Sequence, residues 1–441
     1  MFKKAKLVGI FFLITTLFIS NLFYKSETVQ AAENTLKLKG EAAILIDAKT
    51  GKVLYEHNAD ELLGVASMSK MLTEYLVLEA ISEGKITWDQ EVIINEFIHK
   101  LSSPSLGLST VGLTQGEAYT VKELYETMAI HSANASTVAL AELIAGTETN
   151  FVKLMNEKAK ELGLPAYEFV NSTGLNNRDM LGNHPQGTDV DDENKMSARS
   201  VAKLAYRLIN DYPEVLDTAS IPKLQFKDGR TYNNFNWMLP GLNFYYEGVD
   251  GLKTGSTDFA GYNFTATAER NGQRFISVIM KTGSQVERFE ETKKILDYAF
   301  STFSNEEIFK KGYTVEGKET LPVTKGKQDS VKIATKEALN LVVNNDQLQK
   351  IQPKLVINEE LLNEKGELEA PIKEGDVIGY LTYEIDGDLG FIDPNQIVKV
   401  DVVATESVDK ANWFSLMLRG IGEFFANLWN GITSTIGGWF K

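Results

Sequence analysis

The 441-residue chain contains no cysteine. Disulfides, thiolate zinc sites and cysteine nucleophiles are therefore excluded, as is a bacterial lipoprotein anchor, which needs a cysteine at its cleavage site. Histidine is nearly as scarce: His57, His99, His131 and His184 are the only four, and none pairs with another in an HExxH pattern. A zinc hydrolase is not expected, and no Gly-rich phosphate loop opens a helix, so neither metal nor cofactor is expected. Positive charge is also short, with 45 Lys and Arg against 60 Asp and Glu and a formal net charge of −15. A nucleic-acid partner usually requires a basic face, so none is expected; the acidity reads as solubility. Hydrophobic content of 43% and charged content of 24% are ordinary globular values. The length sets a prior of roughly two or three domains.

The one long apolar run lies at the N-terminus. Lys3, Lys4 and Lys6 precede the stretch Leu7–Phe23, and Val29-Gln30-Ala31 resembles an A-x-A cleavage site before Ala32. The run is barely long enough to span a bilayer and small residues follow it, so residues 1–31 read as a cleaved secretion signal rather than a retained anchor.

From 32 to 305 strands and helices mix. Ala42–Asp47 reads as a short apolar strand, followed by a turn at Lys49-Thr50-Gly51-Lys52 and a second strand at Val53-Leu54-Tyr55. Ser67 opens a helix expected to run to about Ile81, with Gly84 as its stop signal. That helix is apolar on most faces, which marks a core helix. Further helices are expected at Val121–Ile130, Ala135–Leu143 and Glu290–Phe300, and a hairpin at Tyr262–Glu269 and Arg274–Met280 around Asn271-Gly272. Strands at the two ends of a long helical insertion predict an α+β layer fold. Residues 306–404 read as a small β-rich domain, with strands at Ser330–Ala334, Leu339–Val343, Lys354–Ile357, Val377–Glu384 and Ile397–Ala404.

Residues 405–410 read as a linker, and the segment 412–436 as an amphipathic helix. On a helical wheel Trp413, Phe414, Met417, Leu418, Ile421, Phe424, Phe425, Leu428, Trp429 and Ile432 share one side. Asn412, Ser415, Arg419, Glu423, Asn427 and Asn430 share the other. Such a helix is too polar on one face to span a bilayer and is expected to lie on a membrane surface.

Chemistry centres on Ser67-Met68-Ser69-Lys70. At i and i+3 the Ser67 and Lys70 side chains share one helical face. A serine hydroxyl needs an adjacent base to take its proton, and a buried lysine can lose its charge and act as that base. The helix N-terminus favours developing negative charge. The S-x-x-K spacing recurs at Ser82/Lys85, Ser200/Lys203, Ser220/Lys223 and Ser407/Lys410; only Ser67 opens an apolar helix. Ser132-Ala133-Asn134, between two helical stretches, offers a hydroxyl that can relay a proton and an amide that can orient Lys70 or bind a substrate amide. The alternative is an ordinary N-cap. Lys253-Thr254-Gly255 precedes the hairpin, where an edge strand would present a cation and a hydroxyl to a substrate carboxylate, and Gly255 would permit close backbone approach. A second copy, Lys281-Thr282-Gly283, sits where a strand leaves for a helix and reads as a turn.

S-x-x-K, S-x-N and K-T-G in this order resemble the penicillin-recognising serine enzymes, the β-lactamases and penicillin-binding proteins. Gly248–Thr257 (GVDGLKTGST), Asn171–Leu175 (NSTGL) and the order of signal, catalytic domain, β domain and amphipathic tail are similar to the low-molecular-weight D-alanyl-D-alanine carboxypeptidases. The resemblance covers nearly the whole mature chain. It implies a β-lactamase/transpeptidase-like catalytic domain, an antiparallel sheet with a helical insertion, over 32–305. It also implies hydrolytic removal of the terminal D-Ala from peptidoglycan pentapeptide stems, and acylation of the same serine by β-lactam antibiotics. By this resemblance Ser67 attacks the peptide carbonyl, Lys70 is the general base, and Ser132 and Asn134 relay protons and position substrate. Lys253 and Thr254 hold the substrate end beside Gly255, the N–H groups of Ser67 and Ser256 form the oxyanion hole, and Arg288 lies near the terminal carboxylate. The location implied is the outer face of the bacterial cytoplasmic membrane, held by 412–436. One departure is Ala135, where the family often has Asp after the Asn of S-x-N; a supporting hydrogen bond near Asn134 is thereby in question. The alternatives are a peptidoglycan endopeptidase or transpeptidase, which would use the same acyl-enzyme, and a β-lactamase. A class A β-lactamase needs an E-x-x-L-N loop between the second and third motifs, and the only one here, Glu359–Asn363, lies beyond Lys253. A non-catalytic binding protein that kept the fold is the remaining reading, and intact Ser67 and Lys70 argue against it.

Overall fold

Ala42–Asp47 is buried along its whole length because both faces of the sheet it belongs to are covered. Ala42, Ile44 and Ile46 face one apolar cluster with the nucleophile helix, and Ala43 and Leu45 face another with Ile295 and Ala299. This alternation is the period of two that a pleated strand imposes. The computed structural model describes residues 34–419 and 421; the expected signal at 1–31 and the tail from 422 onward fall outside the described residues.

Five antiparallel strands form the main sheet in the order Val249–Thr257, Gly261–Arg270, Gln273–Thr282, Ala42–Asp47, Val53–His57. The two chain segments that build it flank a mostly helical insertion, as the sequence predicts. The hairpin turns at Asn271-Gly272, both in the left-handed region at φ 53° and 75°, with Arg270 paired to Gln273. That is the two-residue turn whose twist matches its strands. Val249–Thr257 is the sheet edge, next to the nucleophile turn.

The insertion packs helices Lys70–Ser82, Val121–His131, Asn134–Ala145, Glu148–Glu161 and Ala198–Asp211 into one apolar core. Helix Gln285–Thr302 covers the opposite face of the sheet. The nucleophile helix differs from the expectation at its start. A 3-10 turn, Ala66–Ser69, precedes the α-helix Lys70–Ser82, and Gly84 follows its end at φ 70°.

Beyond Phe303 a six-stranded sheet carries its own core, including Val331, Ile333, Leu381 and Val402. Its last strand is Val400–Ala404, shorter than the Ile397–Ala404 expected. Ile397 lies in an exposed segment, so its apolarity never enters the sheet. Residues 405–411 are not a free linker. Val408 is buried and bridges Ile372, Lys410 bridges Gly326, and the Ala411 N–H donates to the Lys325 carbonyl. The β-rich unit also grips the catalytic sheet. Lys52, fully buried, pairs with Asp388 at 2.6 Å, and Val53 N–H and Ile392 N–H donate to Gly390 and Gly51 carbonyls. Helical residues 413–419 and 421 follow. No helix among the described residues is long and apolar enough to cross a membrane.

Candidate active site

Ser67 lies in the 3-10 turn and faces two clefts, of about 790 and 600 Å³, that meet at it. The turn is tight because Ala66 is left-handed at φ 48°, a conformation that costs a residue with a Cβ about 1–3 kcal/mol and persists only under surrounding constraint. Gly174 supplies part of that constraint. A Cβ there would sit 1.9 Å from the Ala66 carbonyl oxygen, so only glycine lets the Asn171–Leu175 loop press on the turn.

Lys70 is fully buried one turn on. Its Nζ lies 2.9 Å from Ser67 Oγ, 2.8 Å from Asn134 Oδ1 and 2.6 Å from the Thr173 carbonyl oxygen. Burial pushes its pKa well below the usual ammonium range, and the Lys253 charge pushes in the same direction. Asn134 is oriented by its own amide, since Nδ2 donates to the Ser109 carbonyl at 3.0 Å and leaves Oδ1 toward Lys70. Ala135 is buried on the core side, and Asn134 holds this arrangement without a carboxylate beside it.

Ser132 is no N-cap. It ends helix Val121–His131 in the left-handed region at φ 56°, and its Oγ is buried with no hydrogen-bond partner among the described residues. A strained backbone and an unpaired buried hydroxyl, both facing the cleft, are the kind of feature that stability alone does not select.

Lys253, Thr254, Gly255 and Ser256 lie on the edge strand Val249–Thr257. Gly255 passes so close to the nucleophile turn that a Cβ would meet the Val65 carbonyl oxygen at 2.4 Å and Ser67 N at 3.0 Å. Lys253 is buried and, among the described residues, its Nζ donates only to the Thr254 carbonyl, at 3.3 Å. Burial lowers its pKa to about 8, against the pull of Glu74. Arg288 is buried, lines the cleft with Thr254 and Tyr262, and has an Nε without a partner among the described residues. Burial lowers its pKa to about 10. It is no surface arginine.

The competing motifs lie elsewhere. Lys281, in the left-handed region at φ 57°, forms a half-exposed ion pair with Glu41 at 2.7 Å. Lys85 pairs with Glu83, and Lys203 lies 3.9 Å from Asp393. Glu359 is exposed on the β-rich unit.

Three groups escaped the sequence reading. The Thr173 carbonyl reaches Lys70 because Asn171 Oδ1 accepts from Thr173 N, Thr173 Oγ1 and Gly174 N, fixing the loop. Glu148, 79 residues beyond Ser69, supports that loop from beneath by accepting from Ser172 N and Oγ. Glu74 is buried one turn past Lys70, and burial raises its pKa to about 7. The i,i+4 spacing was the available signal for Glu74; the Asn171–Leu175 motif marked the loop but not the role of its carbonyl, and nothing local marks Glu148.

Residues 27–284 match the family model of D-alanyl-D-alanine carboxypeptidases, and 303–410 match that of the C-terminal domain of penicillin-binding protein 5. The chain is 32% identical to D-alanyl-D-alanine carboxypeptidase DacF of Bacillus subtilis over 95% of its own length and 97% of that protein. A solved peptidoglycan synthesis regulatory factor of Streptococcus pneumoniae aligns with a TM-score of 0.71 at 35% identity, over 84% of this chain and 99% of that one. Penicillin-binding protein D2 of Listeria monocytogenes, solved with ampicillin bound, aligns with a TM-score of 0.51 at 34% identity, over 60% of this chain and 99% of that one. With the S-x-x-K, S-x-N and K-T-G residues around one cleft, and a match that spans more than half of the sequence, the chain belongs to the D-alanyl-D-alanine carboxypeptidase family of low-molecular-weight penicillin-binding proteins.

Proposed function

We propose that this carboxypeptidase removes the terminal D-Ala of peptidoglycan pentapeptide stems through an ester on Ser67, and that β-lactams acylate the same oxygen. The observation that carries the assignment is the fully buried Lys70 at 2.9 Å from Ser67 Oγ. A neutral amine has two N–H groups and one lone pair. Asn134 Oδ1 and the Thr173 carbonyl are both acceptors, so they take the two N–H groups and leave the lone pair for the Ser67 hydroxyl proton.

Ser67 Oγ then attacks the carbonyl of the penultimate D-Ala as Lys70 takes its proton. The oxyanion is held by N–H groups of Ser67 and Ser256, for which the close approach allowed by Gly255 provides room. The C–N bond breaks, the proton passes through Ser132 to the leaving amine, and D-Ala departs. Water attacks the ester with Lys70 again as base and restores Ser67. Thr254 and Arg288, which line the cleft, with Lys253 next to Thr254 on the edge strand, supply the cationic, hydrogen-bonding recess for the terminal carboxylate. The two buried cations are worth more there than in water, because the local dielectric is low.

The reading extends to location. Residues 1–31 act as the export signal, and 412–436 hold the enzyme on the outer face of the cytoplasmic membrane. In support, Trp413, Phe414, Met417, Leu418 and Ile421 are all exposed, while Arg419 on the opposite side donates to Asp329 and to the Gly326 and Lys327 carbonyls. Of the polar side Arg419 is held by the protein, while these apolar residues are presented outward.

The decisive experiment is mass spectrometry after penicillin treatment. Ser67→Ala is expected to lose the covalent adduct with the fold intact, whereas Ser82→Ala and Ser200→Ala carry it. An adduct on Ser67→Ala refutes the nucleophile. With a pentapeptide ending in D-Ala-D-Ala, release of D-Ala supports hydrolysis and cross-linked dimers support transfer.

A further inference from the structure

Among the described residues Glu74 is the one buried carboxylate whose charge acts on both lysines of the site. It lies four residues after Lys70 on the same helix, which sets the two side chains on one face about 5–6 Å apart at Cβ. It is 2% exposed. Lys70 comes from its own helix, Lys253 from the edge strand, and Tyr125 from helix Val121–His131. The Tyr125 hydroxyl is buried, has no hydrogen-bond partner among the described residues, and also feels the Glu74 charge. Arg288 and His131 interact with Lys253 from further elements. A carboxylate on a helix whose Met71, Leu72 and Leu78 are also buried is expensive to keep unless it balances charge.

We propose that Glu74 is a positioning residue for the reaction: its buried carboxylate is the counter-charge that keeps Lys253 cationic for substrate binding while Lys70 stays neutral as base. The working state of these three groups is then one anion, one cation and one neutral amine, with no net charge among them. Burial alone would drive both lysines toward the neutral form, and burial alone would protonate Glu74. Held together, Glu74 and Lys253 each lower the cost of charging the other. The protons of the three groups therefore titrate as a cluster, and the macroscopic values belong to it. This proposal rests on the roles given above to Lys70 and Lys253.

The sign of the effect follows. An anion nearby stabilises the protonated form of either lysine, so its removal lowers both pKa values. The acid limb of activity, below which Lys70 carries a proton, moves to lower pH. The alkaline limb, above which Lys253 loses its proton, also moves to lower pH. Taking the helical i,i+4 spacing of about 6 Å as the scale and an effective dielectric of about 20, one charge displaces its neighbour's titration by roughly one to two pH units. A carboxylate that merely fills space would move neither limb.

The test is the second-order rate of acylation by a fluorescent penicillin, measured across pH on the mature chain, for wild type, Glu74→Gln and Glu74→Asp. Both limbs of Glu74→Gln are expected to shift acidward by about one to two units, with Glu74→Asp returning toward wild type. Limbs that stay in place while the rate falls uniformly overturn the proposal. Should Glu74→Gln not fold, carbon-13 NMR of wild-type protein labelled at glutamate carboxyls decides: a Glu74 carboxyl still protonated at the pH of maximal acylation also overturns it, and an ionised one supports it. Failure of the underlying reading looks different, since Ser67→Ala would still be labelled or Lys70→Met would still acylate at the wild-type rate, whatever Glu74 does.

Discussion

Replacing Gly255 by alanine adds one methyl group where the edge strand meets the nucleophile turn. The added Cβ would lie 2.4 Å from the Val65 carbonyl oxygen, 2.9 Å from Met68 N and 3.0 Å from Ser67 N. All three are backbone atoms, so no side-chain rotation relieves the contact. The strand must retreat by roughly 0.6 Å before the shortest contact reaches even the 3.0 Å that Cβ atoms tolerate. That retreat carries Thr254 and Ser256 away from Ser67. A misplacement of about 1 Å costs about a hundredfold in rate, so we expect Gly255→Ala to acylate with penicillin about 30- to 100-fold more slowly, with stability lowered by about 1–3 kcal/mol. The same tripeptide provides its own control. At Gly283 the added Cβ would meet only the Glu287 carboxylate, at 3.1 Å, the far end of a flexible side chain. Gly283→Ala should acylate at close to the wild-type rate. The assay is the second-order acylation rate together with thermal unfolding of each variant. A Gly255→Ala enzyme within about threefold of wild type would refute the argument that this close approach sets the geometry of attack.

Lys253→Ala is expected to remove a charge-assisted contact worth about 2–4 kcal/mol, about 30- to 1000-fold in kcat/KM for D-Ala release. Lys281→Ala, which removes only a half-exposed ion pair, should change kcat/KM little; reversed effects would place the substrate on the other strand. A mature chain ending at Ala411 is expected to stay soluble, label with penicillin and cleave soluble peptide, but to lose the co-sedimentation with anionic vesicles that the full mature chain shows. Vesicle binding by the shorter chain, or none by the longer, removes the membrane role from the tail. The cut belongs after Ala411 and not after Ala404, because residues 405–411 are packed into the β-rich unit.

The sheet was legible because its signals are local. Asn271-Gly272 announces the hairpin through two residues that tolerate positive φ, and Ala42–Asp47 announces a strand through an unbroken apolar run. Where the sequence misled, the cause was tertiary. Ile397 has the β-branched character of a strand residue, but the chain turns past it at the surface before pairing begins at Val400. Residues 405–410 have the polar look of a linker, but Val408 supplies the one apolar side chain that pins them. Arg419 carries a charge that could draw anionic lipid, but its guanidinium is engaged by Asp329 and two carbonyls, contacts that no local pattern announces.

The site divides along the same line. Ser67 and Lys70 were readable from an i,i+3 spacing at the head of an apolar helix, and Lys253 from its place before a hairpin, because each spacing is a statement about one element. What makes the pair reactive was not readable. The two acceptors that occupy the Lys70 N–H groups come from residues 64 and 103 positions away, and the loop that carries one of them rests on Glu148. Burial is likewise invisible in a string of letters: an acid within an apolar helix looks like a wet position, and it is the packing of its helix against the other helices of the insertion that closes over Glu74. Once that happens, two lysines and a carboxylate share a space that water does not screen. Each then takes the charge state that its neighbours permit rather than the one it would adopt alone. A serine hydroxyl beside a charged lysine would be inert, so the chemistry of Ser67 depends on these long-range contacts as much as on the motif that names it.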